Sequence, residues 1–334
     1  MDLVRVERFP LESEALRGNP LGDPACREVI VVIPPGYEEG GRRFPVLYLL
    51  AAYAGLGASL LHRACWEEGI DQRLARLFAQ GCPPALVVLP DCSTRYGGSQ
   101  YVNSNALGRY ADHVVREIVP AIDRRYRTAA GPEGRGLLGR SSGGFGALHL
   151  ALENPGQFGA VACHSGDLGF DLCYPPDFPV CAGELARAGG VRPFVERFLA
   201  GPVHSSQEFT AISTLAMAAA YSPDPRADAG FELPFDLETC ETRPDVFARW
   251  LAFDPIGRVA ARARALRELR LLFVDCGRRD EHHLHFGARR FARECRAHSV
   301  PIEHEEFDGG HRGTSFRFDV SIPKVARALA GAAR

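Results

Sequence analysis

Ser141 lies at the centre of a Gly-x-Ser-x-Gly motif that runs from Gly139 to Gly143. The motif follows a short apolar run, Gly136–Leu138, and precedes a predicted helix over Phe145–Leu152. Glycines on both sides of the serine permit a sharp turn between a strand and a helix, and this turn exposes the serine hydroxyl. A hydroxyl held in this way can act as a nucleophile toward a carbonyl carbon.

A serine is a weak nucleophile at neutral pH and needs a histidine base that is oriented by an acid. In a strand–turn–helix setting, the order along the chain is serine, then Asp or Glu, then histidine. Asp280 follows the predicted strand Arg270–Asp275, and His311 follows the last predicted strand, Ile302–Phe307. The sequence therefore predicts Ser141 as nucleophile, Asp280 as the orienting acid and His311 as the base.

Other residues near these positions compete for the same roles. Asp275 and Glu281 are the alternatives to Asp280, and His304 lies within the predicted last strand, where a structural role is expected. Three further histidines beside the acid lack a matching set of Cys or carboxylate ligands, so we interpret them as part of a polar loop and helix start. They are His282, His283 and His285. The chemistry predicted here requires no metal and no cofactor.

Two backbone N–H groups must stabilise the oxyanion that such a reaction forms. One is expected from Ser142, the residue after the nucleophile, and the other from the loop that follows the strand around Val46–Leu50. We predict Tyr53 as the second donor, with Ala52 beside it, because small residues in this loop let the backbone approach a substrate. An ordinary strand-to-helix turn is the alternative interpretation of this loop.

Apolar runs alternate with helical patterns along most of the chain, which predicts a mostly parallel sheet with helices on both faces. The segment 167–255 breaks this alternation, because it is rich in proline and shows only two helical patterns, near Val195–Ala200 and Gln207–Tyr221. We interpret it as an inserted cap on a core formed by residues 1–166 and 256–334.

Composition restricts the function classes. The 334 residues carry a formal net charge of −2, so no electrostatic attraction to nucleic acid or anionic membrane is expected. No apolar run is long enough for a membrane span, and the first residues lack a secretory signal pattern. The ten cysteines are scattered and fit small buried apolar residues. A cytoplasmic protein is predicted, with its oligomeric state open and a homodimer among the options.

Several residues follow predicted strands and are therefore expected at the carboxyl edge of the sheet, where α/β proteins bind ligands. Gln100 and Asn103, in the polar segment after the third buried strand, are candidate substrate contacts, although a loop held by its own turns explains them equally well. His164 ends another strand and is a further candidate. Trp66 and Trp250 suit an acyl pocket, but core packing is the expected role of each.

These motifs together resemble the putative-esterase family of α/β-hydrolases, which includes S-formylglutathione hydrolase, feruloyl and acetyl-xylan esterases, enterochelin esterases and the antigen 85 mycolyltransferases. The resemblance rests on five segments: Pro34–Tyr37, Phe44–Leu50, Gly139–Leu148, Asp275–Glu281 and Asp308–His311. It implies the α/β-hydrolase fold, with Ser141, Asp280 and His311 as the triad and the N–H groups of Tyr53 and Ser142 as the oxyanion hole. Many relatives carry a His-Gly pair where this chain has Ala51-Ala52.

The sequence thus predicts a serine carboxylic-ester hydrolase that forms an acyl-enzyme on a small to medium ester, with carbohydrate and hydroxycinnamate esters as candidates. Acyl transfer by the same residues and a non-catalytic binding protein on a hydrolase fold remain as alternatives. Peptidase activity is less well supported, because no peptide-clamping domain is recognisable in the sequence.

Overall fold

The computed structural model describes residues 4–332 and centres on one mixed sheet. Its strands are β1 (Arg5–Glu12), β2 (Cys26–Ile33), β3 (Val46–Leu50), β4 (Leu86–Pro90), β7 (Arg135–Arg140), β8 (Ala160–His164), β9 (Leu271–Gly277) and β10 (Glu303–Phe307), and a separate short hairpin pairs β5 (Asn103–Ser104) with β6 (Gly108–Arg109). The order across the sheet is β1-β2-β4-β3-β7-β8-β9-β10. Only the first two pairings in that order, β1 with β2 and β2 with β4, are antiparallel.

Helices cover both faces of this sheet. The main ones are α1 (Ile70–Ala79), α2 (Tyr110–Asp112), α3 (Val119–Arg125), α4 (Ser142–Glu153), α5 (Phe170–Cys173), α6 (Phe178–Ala188), α7 (Val191–Ala200), α8 (Ser206–Tyr221), α9 (Pro244–Leu251), α10 (Pro255–Arg267), α11 (Leu284–Ala297) and α12 (Phe318–Leu329). Helices α1 and α12 pack on one face, and α3, α4, α8 and α11 share the larger core on the other. The central strands are buried on both faces, which explains their continuous apolar runs.

Strand β1 is the largest difference from the sequence prediction in the core. Its residues Arg5–Glu12 mix charged and apolar side chains, and they pair antiparallel at the sheet edge, where Pro10 is tolerated. We predicted only continuous apolar runs as strands, and this exposed edge strand does not have one.

The inserted segment is more helical than predicted. It contributes no strand to the central sheet, as expected, but it contains α5, α6 and α9 in addition to the two predicted helices. Pro179 and Pro244, two of the prolines that set this segment apart in the sequence, occupy first-turn positions of α6 and α9. Proline is well accommodated there, because those backbone N–H groups have no partner within the helix.

The cysteines are free, and seven of the ten are buried. Cys26 and Cys65 are exposed, and Cys240 is half-buried. Within residues 4–332, no helix combines the length and the apolar character that crossing a bilayer would require.

Candidate active site

Ser141 occupies the turn between β7 and α4 in a strained backbone conformation. Its φ of 56° and ψ of −128° are unusual for a residue with a side chain, and such strain costs on the order of 1–3 kcal/mol. The flanking glycines make the turn possible. A Cβ on Gly143 would lie 2.2 Å from the carbonyl oxygen of Leu50, and a Cβ on Gly139 would lie 2.4 Å from the Gly143 backbone. The surrounding fold therefore imposes this conformation on Ser141.

Ser141, His311 and Asp280 are joined by a continuous chain of hydrogen bonds, and we call this set of three residues the cavity array. The distance from Ser141 Oγ to His311 Nε2 is 3.0 Å, and that from His311 Nδ1 to Asp280 Oδ2 is 2.8 Å. Ser141 and His311 are half-buried, whereas Asp280 is buried. The three residues predicted from chain order therefore lie together in a bonded geometry.

Two features hold the acid and the histidine loop in place. Asp280 Oδ1 accepts hydrogen bonds from the backbone N–H groups of His282 and Leu284. Burial acts to raise the pKa of Asp280, but its bonds to His311 and to these N–H groups outweigh burial and hold the pKa below its ordinary value. The carboxylate of Glu281, an alternative acid, instead accepts the backbone N–H of His311 at 2.6 Å.

The predicted oxyanion donors lie on the wall of the same cavity as Ser141. Ser142 is the first residue of α4, and Tyr53 lies in the loop after β3. Among residues 4–332, the backbone N–H groups of Tyr53 and Ser142 have no hydrogen-bond acceptor within the protein. Unpaired N–H groups at a helix N-terminus suit a developing negative charge.

The cavity next to Ser141 has a volume of about 420 Å³. Its walls come from the β3 loop, the β7–α4 turn, the loops carrying Asp280 and His311, and the inserted segment. The inserted segment supplies most of the aromatic and apolar surface: Tyr174, Phe178, Phe209, Met217 and Trp250. The inserted segment therefore forms one wall of the cavity, and Ala52 also lines the cavity.

Gln100 lies behind the cavity rather than on its wall, which corrects one predicted contact. Its side-chain Nε2 donates to Asp167 Oδ2 at 2.9 Å and to the Tyr221 hydroxyl at 3.2 Å. The hydroxyl of Tyr174 also donates to Asp167 Oδ2, and burial raises the pKa of this carboxyl. Asp167 itself lines the cavity, so Gln100 holds a cavity residue in place.

His164 and Asn103 are also misassigned as substrate contacts. His164 is buried, and its ring bonds Asp275 Oδ1 at 2.7 Å and Ser321 Oγ at 2.7 Å. Side chains alternate along a strand, and His164 shares a face with Ala160 and Ala162 toward α12, away from the cavity. Asn103 is exposed and accepts the backbone N–H of Asp112.

Of the two tryptophans, Trp250 packs in the core as predicted and Trp66 does not. Trp66 is 99% exposed, so it does not pack in the core. Trp250 is fully buried, its Nε1 donates to Ser222 Oγ at 2.9 Å, and its ring also lines the cavity. No sequence motif predicted that the inserted segment would line the cavity. Only the aromatic content of the segment indicated it.

The three histidines beside Asp280 take separate positions. His282 lies on the cavity wall with its ring edge-on to His311 at 4.8 Å between centroids, while His283 precedes α11 and His285 lies within its first turn. Across residues 4–332, no group of three or more His, Cys, Asp or Glu side chains is arranged to hold a metal ion.

Curated relatives are similar to this chain over part of its length. An esterase of Mycobacterium tuberculosis strain H37Rv is 32% identical over 145 residues, which are 41% of this chain and 28% of that protein. An uncharacterized Bacillus subtilis protein, YbbA, is 25% identical over 43% of this chain and 58% of its own length. The matched region thus spans less than two thirds of either relative.

Solved structures resemble the chain over nearly its whole length. A ferulic acid esterase superposes with a TM-score of 0.63 at 20% identity, covering 97% of this chain and 98% of that one. An S-formylglutathione hydrolase from Agrobacterium tumefaciens gives a TM-score of 0.61 at 15% identity, covering 98% and 97%. MPT51 of Mycobacterium tuberculosis gives a TM-score of 0.57 at 16% identity, covering 99% of both chains. At these identities the likeness shows the fold.

The family model described as "Putative esterase" matches residues 24–321, which is most of the chain. The match includes all three residues of the cavity array, the β3 loop and the inserted segment. Together with the sheet order and the structural neighbours, it identifies the chain as a member of this esterase family with the α/β-hydrolase fold.

Proposed function

We propose that the protein is a serine carboxylic-ester hydrolase in which Ser141 is the nucleophile. The observation that carries the proposal is the cavity array itself. Ser141 Oγ lies 3.0 Å from His311 Nε2, next to a cavity of about 420 Å³. Membership of an esterase family supports the same chemistry.

In the first half-reaction, Ser141 Oγ attacks the ester carbonyl carbon while His311 Nε2 accepts the hydroxyl proton. Asp280 holds the imidazole through Nδ1 and stabilises its positive charge. The carbonyl oxygen becomes an oxyanion that accepts hydrogen bonds from the N–H groups of Tyr53 and Ser142. Each such donor contributes roughly 3 kcal/mol to lowering the barrier.

The tetrahedral intermediate then collapses. The bond between the carbonyl carbon and the leaving oxygen breaks, and His311 Nε2 returns its proton to that oxygen, so a neutral alcohol departs. In the second half-reaction, water attacks the acyl-enzyme, His311 accepts one of its protons, and that proton returns to Ser141 Oγ as the acid leaves. No cofactor takes part in these steps.

The apolar wall from the inserted segment favours an acyl group of small to medium size. Phe178, Met217 and Trp250 lie on this wall beside the polar residues Ser213 and Thr214. A mixed surface of this kind suits an acyl group with an aromatic or short aliphatic part, and hydroxycinnamate esters and acylated carbohydrates are the finer candidates.

A panel of p-nitrophenyl esters from acetyl to long acyl chains tests the proposal. The wild-type protein is expected to give a burst of p-nitrophenol followed by steady hydrolysis, with an optimum at short or medium chains. The Ser141→Ala variant, with its fold checked by circular dichroism, is the control and is expected to be inactive. Equal activity of the variant would overturn the assignment of Ser141.

The same panel separates the alternatives. An acyltransferase would give a strong increase in p-nitrophenol release when an alcohol is added, together with the transferred ester as product. A binding protein would give no turnover with any ester. Hydrolysis whose rate and product do not change with added alcohol supports the hydrolase.

A further inference from the structure

Two arginines line the cavity without a carboxylate partner. Arg140 directly precedes Ser141 and is half-buried, whereas Arg312 directly follows His311 and is exposed. Within residues 4–332, no Asp or Glu oxygen lies within 4.0 Å of either guanidinium. Burial lowers the pKa of Arg140, against the opposing charge of Glu67, because its positive charge is partly removed from water. A half-buried cation of this kind gains most from an anion that enters the cavity.

Arg140 is connected to the loop that carries His311, and Arg312 is the next residue of that loop. Arg140 Nη1 donates to Thr314 Oγ1 at 3.3 Å, and that hydroxyl donates to the backbone oxygen of His311 at 3.4 Å. Arg312 adjoins His311 in sequence. Because the base returns its proton to the leaving oxygen, the alcohol part of the ester must lie against His311.

The acidic groups that line the cavity form no ion pair with these arginines within residues 4–332, although the charge of Glu67 acts on Arg140. Asp167 accepts hydrogen bonds from the side chains of Gln100, Tyr174 and Ser142, and burial raises its pKa. Asp177 adjoins the start of α6 in the inserted segment, and burial raises its pKa too. Glu67 is exposed and accepts the hydroxyl of Ser315. None of these acidic side chains thus pairs with Arg140 or Arg312, which are the sequence neighbours of Ser141 and His311.

We propose that Arg140 and Arg312 form a subsite for an anionic group, a carboxylate or a phosphate, on the alcohol part of the ester. The proposal rests on the proposed function and specifies the substrate class of the same site. A guanidinium offers paired N–H donors that match both anions, and hydrogen bonds between charged partners are stronger than neutral ones. Anionic esters are therefore preferred to neutral ones of the same shape.

A matched set of acetyl esters tests the subsite. Phenyl acetate is the neutral ester, 3-acetoxybenzoate and 3-acetoxyphenyl phosphate are the two anionic arms, and 3-acetoxy-N,N,N-trimethylanilinium is the cationic one. Values of kcat/KM are divided by each ester's rate with hydroxide, which removes differences in intrinsic reactivity. The wild type is expected to prefer at least one anionic ester to phenyl acetate by about tenfold or more, and the better arm identifies the anion.

Variants assign the preference to the two arginines. Arg140→Gln is expected to reduce the ratio of anionic to neutral kcat/KM to near one, and Arg140→Lys to retain part of it because the charge remains. Arg312→Gln, a substitution on an exposed loop, is expected to reduce the ratio about threefold and remains informative if the Arg140 variants fail to fold. Arg192→Gln, an exposed arginine of α7 outside the cavity, is the matched control and should keep the wild-type ratio.

The outcomes separate the subsite from the underlying function. Turnover of phenyl acetate with a ratio near one, an unchanged ratio in both Arg140→Gln and Arg312→Gln, or preference for the trimethylanilinium ester would overturn the subsite and leave the esterase proposal standing. No turnover of any of the four esters by the wild type would overturn both proposals. A preference that falls with added sodium chloride, together with the expected variant ratios, supports the subsite.

Discussion

The chain contains two hydrogen-bonded arrays of the same three residue types. The cavity array joins Ser141, His311 and Asp280, and a second set, which we call the buried array, joins Ser321 Oγ to His164 Nε2 and His164 Nδ1 to Asp275. Both bonds in the buried array measure 2.7 Å, shorter than the 2.8 and 3.0 Å bonds of the cavity array. Side-chain identity and hydrogen bonding alone therefore do not distinguish a reactive site from a structural one.

The two arrays differ in access and in backbone. Ser321 lies within α12 and is fully buried, whereas Ser141 lies on a strained turn beside a cavity. Asp275 Oδ2 also accepts a hydrogen bond from Arg317 Nε at 2.7 Å. The buried array therefore ends in an ion pair that links β9 to the segment before α12. A reactive serine needs an open approach and oxyanion donors in addition to its base, and of these two serines Ser141 is the one that lies on the cavity wall with the proposed donors.

Replacing the two serines gives the largest expected contrast. Ser141→Ala should lower kcat/KM for p-nitrophenyl acetate by at least about a thousandfold, because the members of such an array act as a unit. Ser321→Ala should leave kcat/KM within about threefold of wild type, because Ser321 touches no substrate. Steady-state kinetics measure both, and comparable losses in the two variants would contradict the distinction.

Replacing the two histidines should separate activity from stability. His311→Gln removes the base and should abolish most hydrolysis, with a loss of only about 1 kcal/mol in the free energy of unfolding. His164→Ala leaves a void and strips a partner from the buried Asp275, which should cost roughly 3 kcal/mol or more. Urea unfolding of both variants is the measurement, and equal stability losses would refute the assignment of the buried array to structure.

Asp280, the acid of the cavity array, should have a smaller effect, which appears in the pH dependence of the free energy of unfolding. The pKa of Asp280 is lowered in the folded protein, so its ionised form stabilises the fold above an ordinary Asp pKa of about 4. That stabilisation disappears as the pH falls through the folded value. The difference in unfolding free energy between wild type and Asp280→Asn should therefore shrink as the pH falls below about 4.

An exposed aspartate of the inserted segment provides the control for that titration. Asp228→Asn should track the wild type across the same range, because Asp228 is exposed and makes no ion pair within residues 4–332. A constant difference between wild type and Asp280→Asn at every pH would show that the carboxylate of Asp280 does not stabilise the fold.

The cavity array was predictable because chain order and local context constrain it strongly. A glycine-flanked serine between a strand and a helix, an acid after a late strand and a histidine after the last strand have few alternatives in a parallel sheet. The buried array was not predicted. His164 was correctly placed at the carboxyl edge, but its face of the sheet depends on strand register, and a shift of one residue reverses that face.

The inserted segment shows where sequence patterns fail. Two of its helices, α6 and α9, carry Pro179 and Pro244 in their first turns, so an interpretation that treats every proline as a helix breaker misses them. Trp250 is both buried and on the cavity wall, which no periodicity could separate from ordinary core packing. The packing of the inserted segment against the sheet is set by contacts distant in sequence, and these decide the shape of the cavity.

Labelling with a fluorophosphonate tests the central claim most directly, because such a probe reacts with a serine only when a base and an open cavity accompany it. We predict one adduct per chain by intact-protein mass spectrometry. Peptide mapping should locate it on Ser141, with Ser321 unmodified and no adduct in Ser141→Ala. An adduct on another serine, or no adduct on the folded wild-type protein, would contradict the account.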